Sequence, residues 1–181
     1  MKKSLKLIVA AFIITALFTT THANAQITPS NSLRLSIGLE TAEPTGNLRI
    51  GSNFSLGGTI HLQYGLTDNF SATLASGAYH FFSKINPATG KRFNSFGVIP
   101  IKAGLKEFFI PNIYVAAEAG VGYEQTDNHD GQTKFIWTPG VGYANEHWDV
   151  GVRYESFSGE NNNYGLVALR IAYGFRFLTK K

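Results

Sequence analysis

The sequence predicts an all-β fold, a closed antiparallel up-and-down transmembrane β-barrel of about eight strands. Three observations carry this expectation. Apolar and polar residues alternate with period two along most of the chain, turn-forming clusters interrupt the alternation at regular intervals, and the polar face is built from small residues with isolated charges. Charged residues make up only 15% of the chain, with 19 Gly and 13% aromatics. An ordinary soluble domain carries about a quarter charged residues.

The N-terminus sets the export route. Lys2, Lys3 and Lys6 precede an apolar run from Leu7 to Phe18, which closes on Ala23-Asn24-Ala25. This is the form of a signal peptide spanning residues 1–25, cut before Gln26, and it leaves residues 26–181 as a single barrel domain. The apolar run is shorter than the roughly 20 residues a membrane-spanning helix needs. Cleavage removes three lysines and no acid, so the mature chain is near neutral despite a whole-chain net charge of +4. No basic stripe with interleaved aromatics remains, and no nucleic-acid partner is expected. The absence of Cys excludes disulfides, a Cys-based zinc site and a lipoprotein acylation site.

The strands follow in order. Ser32 to Glu43 alternates Leu33, Leu35, Ile37 and Leu39 with Arg34, Ser36, Gly38 and Glu40. Asn53 to Gly65 sets Leu56, Ile60, Leu62 and Tyr64 against Ser55, Gly57, Thr59, His61 and Gln63. In Asn69 to Phe81 the apolar residues Phe70, Ala72 and Leu74 change parity at Tyr79 and Phe81, so either a bulge intervenes or aromatics face inward there. Asn94 to Lys106 sets Ile99, Ile101, Ala103 and Leu105 against Pro100, Lys102 and Gly104. Pro100 cannot donate to a ladder, and a bulge is expected at that point. Asn112 to Gln125 sets Ile113, Val115, Ala117, Ala119, Val121 and Tyr123 against Glu118, Gly120, Gly122 and Glu124. Lys134 to Ala144, His147 to Phe157 and Tyr164 to Phe177 complete the set.

Parity does not say which face is inside, and composition does. A soluble exterior would be crowded with long polar side chains, whereas this polar face is mostly Gly, Ser, Thr and Ala. The interior of an eight-stranded barrel is just wide enough for side chains to fill. Its charges balance, with Arg34, Lys102, Arg153, Arg170 and Arg176 on the same face as Glu40, Glu118, Glu124, Asp149 and Glu155. Paired, these ten residues form a lumen charge network that plugs the barrel. A polar interior within an apolar, aromatic-flanked exterior is the arrangement of an outer-membrane barrel. The competing arrangements are a soluble periplasmic lipocalin-like carrier with its apolar face inward and a soluble β-sandwich.

Connection lengths support the membrane arrangement, because outer-membrane barrels have short periplasmic turns and longer outer loops. Pro44 to Gly51, Phe82 to Phe93, Thr126 to Thr133 and Ser158 to Asn163 form the longer set. Leu66 to Asp68, Glu107 to Pro111 and Asn145 to Glu146 form the shorter one. Aromatic girdles are expected from Tyr64, Phe70, Phe108, Phe109, Trp148, Phe175 and Phe177 on the periplasmic side, and from Phe135, Trp137 and Phe157 on the outer side.

The segment Ile99-Pro100-Ile101-Lys102-Ala103-Gly104-Leu105, followed by Tyr114-Val115-Ala116-Ala117-Glu118-Ala119-Gly120, resembles the middle hairpin of the small outer-membrane β-barrel proteins. The end, through Tyr173-Gly174-Phe175-Arg176-Phe177, is similar to the terminal strand that the barrel-assembly machinery recognises, and Leu178 to Lys181 trail beyond it. The resemblance covers the mature chain. It implies a monomer in the cell outer membrane, in contact with outer-membrane lipid and lipopolysaccharide, and handled by the barrel-assembly machinery during biogenesis.

No catalytic, cofactor or metal site is expected. The stretch Arg153-Tyr154-Glu155-Ser156-Phe157-Ser158-Gly159-Glu160 resembles the end of outer-membrane lipid A deacylases, whose last strands carry a His-x-Ser pair. Ser158 matches the nucleophile, but Ser156 stands where the His belongs, and a serine without a base is not activated. Asp127, Asn128, His129, Asp130 and Gly131 concentrate oxygen ligands without the spacing of a calcium loop, and turn chemistry accounts for them. Lys84, Lys91 and Arg92 in the second outer loop read equally as a contact for lipopolysaccharide phosphates and as ordinary solvated loop charges.

Overall fold

The computed structural model describes residues 28–86, 88–126, 129–159 and 163–179. The expected signal segment, Asp127, Asn128 and Glu160 lie outside the described residues. Eight strands follow one another: β1 (Ser32–Thr45), β2 (Ser52–Gly65), β3 (Phe70–Ser83), β4 (Phe96–Ile110), β5 (Ile113–Thr126), β6 (His129–Ala144), β7 (Trp148–Ser158) and β8 (Tyr164–Thr179). One short helix, α1 (Leu48–Gly51), sits in the first outer loop. Each strand pairs antiparallel with the next, and β8 pairs with β1, which closes the barrel. Strands of 11 to 16 residues meet or exceed the roughly 9–11 that a tilted strand needs to span a membrane.

The period-two pleat sends alternate side chains to opposite faces. Ile37, Leu39, Ile60, Leu74, Ile101, Val121, Val141 and Leu169 are exposed on the outside, while Arg34, Ser36, Glu40, Thr59, Lys102 and Glu118 are buried inside. A belt of exposed aliphatic side chains around a closed barrel is stable only in lipid. The soluble carrier with an apolar interior is therefore excluded.

The glycines acquire a specific explanation from the register. Glu40 pairs with Gly57, Lys102 with Gly120 and Glu118 with Gly104. Lys134 pairs with Gly122, Arg153 with Gly140 and Arg170 with Gly151. Each of these six long lumen side chains thus lies opposite a glycine on one neighbouring strand, which leaves room for it in an interior just wide enough for side chains to fill.

Two expectations about irregularity resolve differently. In β3 the alternation is unbroken, and Ser71, Thr73, Ala75, Tyr79, Phe81 and Ser83 all face inward. The parity change is real, with aromatics filling the outer half of the lumen. At Pro100 the expected bulge is absent. Ser76↔Ile101 and Tyr79↔Val98 keep one register on either side of it, and Pro100 pairs with Gly122 on β5. The missing N–H interrupts the β3 ladder locally without displacing the strand, and the Ser76 hydroxyl donates to the Pro100 carbonyl at 2.9 Å. The register shifts that do occur lie near strand ends, at Leu33/Arg34, Ser52/Phe54, Phe108/Ile110 and Glu124/Thr126.

The connections on the side of the termini are tight. Between β4 and β5 only Pro111 and Asn112 remain, with Asn112 at φ 68°. Pro followed by a residue at positive φ suits a type II turn. Between β6 and β7 the Asn145 side chain accepts from the backbone N–H groups of His147 at 2.9 Å and Trp148 at 2.8 Å. The fifth connection is shorter than expected, because β5 runs to Thr126 and β6 begins at His129. The first and second outer loops are tied together, with Lys84 N–H donating to Gly51 O at 2.8 Å and Lys84 Nζ to Arg49 O at 2.6 Å. Lys91 and Arg92 remain exposed in the second loop.

Candidate functional site

The charged lumen is the candidate site, and its side chains arrange in three tiers. The middle tier centres on Glu118 of β5. Its Oε1 accepts from the Thr73 hydroxyl at 3.2 Å and lies 3.6 Å from His61 Nδ1. Its Oε2 faces Arg153 NH1 at 3.4 Å and Lys102 Nζ at 4.0 Å. Lys102 donates to Glu155 Oε1 and Arg153 NH2 to Glu40 Oε2, both in direct ion pairs. These contacts join β1, β2, β3, β4, β5 and β7 across the lumen rather than along its wall.

The tier nearest the termini centres on Asp149. Its Oδ2 takes the Lys106 ammonium at 2.6 Å and faces Arg170 NH1 at 3.8 Å, while its Oδ1 accepts from the Tyr114 hydroxyl at 2.7 Å. Arg170 also donates through Nε to Thr59 at 2.9 Å and through NH2 to Ser36 at 3.0 Å. The Lys106 ammonium lies 3.9 Å from the Tyr114 ring centroid, a cation–π contact. Arg34 is buried here against Gly174, and its three guanidinium nitrogens have no hydrogen-bond partner among the described residues. Below, Gln63 donates to Thr28 Oγ1 at 2.8 Å and to Ser71 Oγ at 3.1 Å, which seats the segment before β1 across the mouth.

The outer tier is mostly aromatic. Phe81 stacks on Phe96 with centroids 4.3 Å apart, and Phe157 stacks on Tyr164 at 4.8 Å. Leu166, Val98 and Ile136 pack around them. The Tyr164 hydroxyl donates to Glu124 at 2.9 Å, and Lys134 lies 5.7 Å from the Tyr164 ring. The space among Lys106, Arg153, Arg170, His61, Glu118 and Thr138 is a cavity of about 30 Å³. About 10–15 Å³ of such space holds one water.

Among the ten residues expected in the network, Glu40, Lys102, Glu118, Asp149, Arg153, Glu155 and Arg170 meet in the lower two tiers. Glu124 joins the outer tier, and Arg34 is buried without a hydrogen-bonded partner. Arg176 stands opposite Arg34 in the β1–β8 register and is exposed at the barrel mouth. Lys106, Lys134, Tyr79 and Tyr114 are buried lumen residues absent from that set. Lys106 continues the parity of Lys102, Lys134 that of Ile136, and Tyr114 that of Glu118, so the alternation contained the signal. Phe108 and Phe157, expected in the girdles, are buried, whereas Tyr64, Phe109, Trp148, Phe175, Phe177, Phe135 and Trp137 are exposed on the outside.

The other candidates do not assemble. Ser156 and Ser158 share the outward parity of β7, with Tyr154, opposite Trp137 and Phe135. His129 to Gly131 lie on β6 rather than in a loop, and no metal-binding cluster occurs among the described residues.

The fold and the tiered lumen define an integral eight-stranded barrel of the outer-membrane type. Among solved structures the chain is similar to Ail, the attachment invasion locus protein of Yersinia pestis, with a TM-score of 0.57 at 13% identity, covering 81% of this chain and 99% of that one. It is also similar to Neisserial surface protein A (TM-score 0.56, 16% identity, 80% and 95% covered). The N-terminal barrel domain of Pseudomonas aeruginosa OprF gives a TM-score of 0.52 at 16% identity, with 81% and 98% covered. No protein-family model and no curated protein sequence matches the chain.

Proposed function

We propose that this protein is a non-enzymatic, monomeric component of the cell outer membrane, with a lumen closed to ions and a role carried by its outer loops. The observation that carries this reading is the filling of the lumen. Ion pairs join opposite walls in two tiers, and stacked aromatics occupy the third. Such an interior offers a solute no path and a substrate no room. The non-enzymatic part is supported by Ser156, which stands where a serine hydrolase of this type needs its base.

The loops then carry the interactions. The second outer loop presents Lys91 and Arg92 on a hairpin held by Asn86 N–H to Lys91 O at 2.8 Å and an isolated Ile85↔Arg92 bridge. Lys84 anchors it to the first loop. Cations fixed at this height suit the phosphates of lipopolysaccharide. The similar Ail barrel has a solved complex with sucrose octasulfate, a heparin analogue, which supports an anion-directed loop role here. During biogenesis the barrel-assembly machinery is the expected partner of β8.

The test is lipopolysaccharide binding by purified protein in nanodiscs, compared with a Lys91→Ser/Arg92→Ser variant. The reading predicts affinity that falls with salt and drops several-fold in the variant. Equal binding by both proteins overturns the loop role. Deacylation of lipid A by the purified protein, lost in Ser158→Ala, overturns the non-enzymatic part.

A further inference from the structure

We propose that the lumen holds a small monovalent inorganic anion of the halide class in the cavity between the middle tier and the tier nearest the termini. The cavity of about 30 Å³ is lined by Lys106, Arg153 and Arg170 against one carboxylate, Glu118. Glu118 is already engaged by Thr73 and Arg153. Asp149 has both oxygens occupied by Lys106 and Tyr114.

Along the cavity wall three cations meet the one carboxylate, Glu118. Lys106 and Arg170 both reach Asp149 Oδ2, and Arg34, buried outside the cavity wall, has three guanidinium nitrogens without a hydrogen-bond partner among the described residues. Its charged neighbours include Asp149, Arg176 and Arg170. Buried charge of one sign with too few counter-charges is strongly unfavourable. A bound anion adds a counter-charge where Lys106, Arg153 and Arg170 line the cavity.

A second observation points into the same space. Thr138 lines the cavity, its side chain is buried at 2% exposure, and its hydroxyl has no hydrogen-bond partner among the described residues. A hydroxyl beside an ammonium and two guanidinium groups is a donor set for an anion. At about 30 Å³ the cavity has room for about two waters, which accommodates a single halide ion.

The experiment uses the full mature protein in detergent. Crystals grown in bromide are examined by anomalous scattering, and thermal unfolding is followed with chloride exchanged for methanesulfonate at constant ionic strength. The expected results are a bromide peak within hydrogen-bond reach of Thr138 and Lys106 and an unfolding midpoint that rises with the logarithm of chloride concentration above the dissociation constant. Thr138→Val, which keeps the side-chain shape, is expected to weaken the chloride response about tenfold, the loss of one hydrogen bond to a charged group. Lys106→Met is expected to abolish it. Water density alone in the cavity, bromide only on the outer surface, or superimposable chloride and methanesulfonate curves would each overturn the proposal.

Discussion

Replacing Lys102 by Met tests the lumen network where it is most enclosed. Lys102 and Glu155 are 1% and 0% exposed at the side chain and form a direct ion pair. Glu155 Oε2 already lacks a hydrogen-bond partner among the described residues. The variant therefore leaves a buried carboxylate without its ammonium. Two unit charges about 4 Å apart interact by about 4 kcal/mol at an effective dielectric of about 20, and breaking a buried pair from one side costs about 3–5 kcal/mol. Lys102→Met should lower stability by that amount. At a urea dependence of about 2 kcal/mol per molar, the midpoint falls by about 2 M.

Glu155→Gln should cost less, because Lys102 keeps Glu118 Oε2 at 4.0 Å. The double variant Lys102→Met/Glu155→Leu should recover to within about 1 kcal/mol of the parent, since a well-packed apolar pair replaces a buried ion pair at little cost. The assay is reversible urea unfolding in lipid vesicles, followed by tryptophan fluorescence and by heat-modifiable migration on gels. Single variants within about 0.5 kcal/mol of the parent, or additive effects in the double variant, would refute the reasoning and describe a lumen flooded with water.

Three further outcomes are expected. Ile101→Lys, on the outward face of β4 and 57% exposed, should destabilise the protein by about 2–4 kcal/mol in lipid, read from the same unfolding curves; no loss would contradict an apolar face in contact with lipid. Phe81→Ala removes a fully buried ring stacked on Phe96 and should cost about 3–5 kcal/mol, whereas a loss below about 1 kcal/mol would mean the outer tier is loosely packed. Gly120→Val should abolish assembly into the heat-modifiable form, because a Cβ there would sit 2.7 Å from Lys102 Cα and against the Ile101 carbonyl; normal assembly would show that β4 and β5 can part to admit it.

The barrel was legible because closure and lipid contact impose a strict period of two, and Leu33 to Leu39 or Ile113 to Tyr123 show it without interruption. What sequence did not reveal was three-dimensional pairing. Glu118 meets Thr73, His61, Lys102 and Arg153 from four other strands, and that convergence depends on strand stagger, which alternation does not encode. Pro100 misled because a missing donor was equated with a displaced strand, whereas the β3 ladder tolerates a local gap. Phe157 shares the inward parity of Glu155 and follows it into the lumen although it lies close to a loop. Lys106 stands inside β4, which continues to Ile110, so its parity with Lys102 carries it into the lumen as well.

The central claim is a membrane barrel filled by its own side chains, and electrical recording of purified monomers in planar bilayers tests it most directly. The account predicts insertion without a sustained large conductance, with current appearing only when outer-tier and ion-pair residues such as Phe81 and Lys102 are removed together. A steady large conductance from the unaltered protein would contradict it, and the lumen residues would then line a pore.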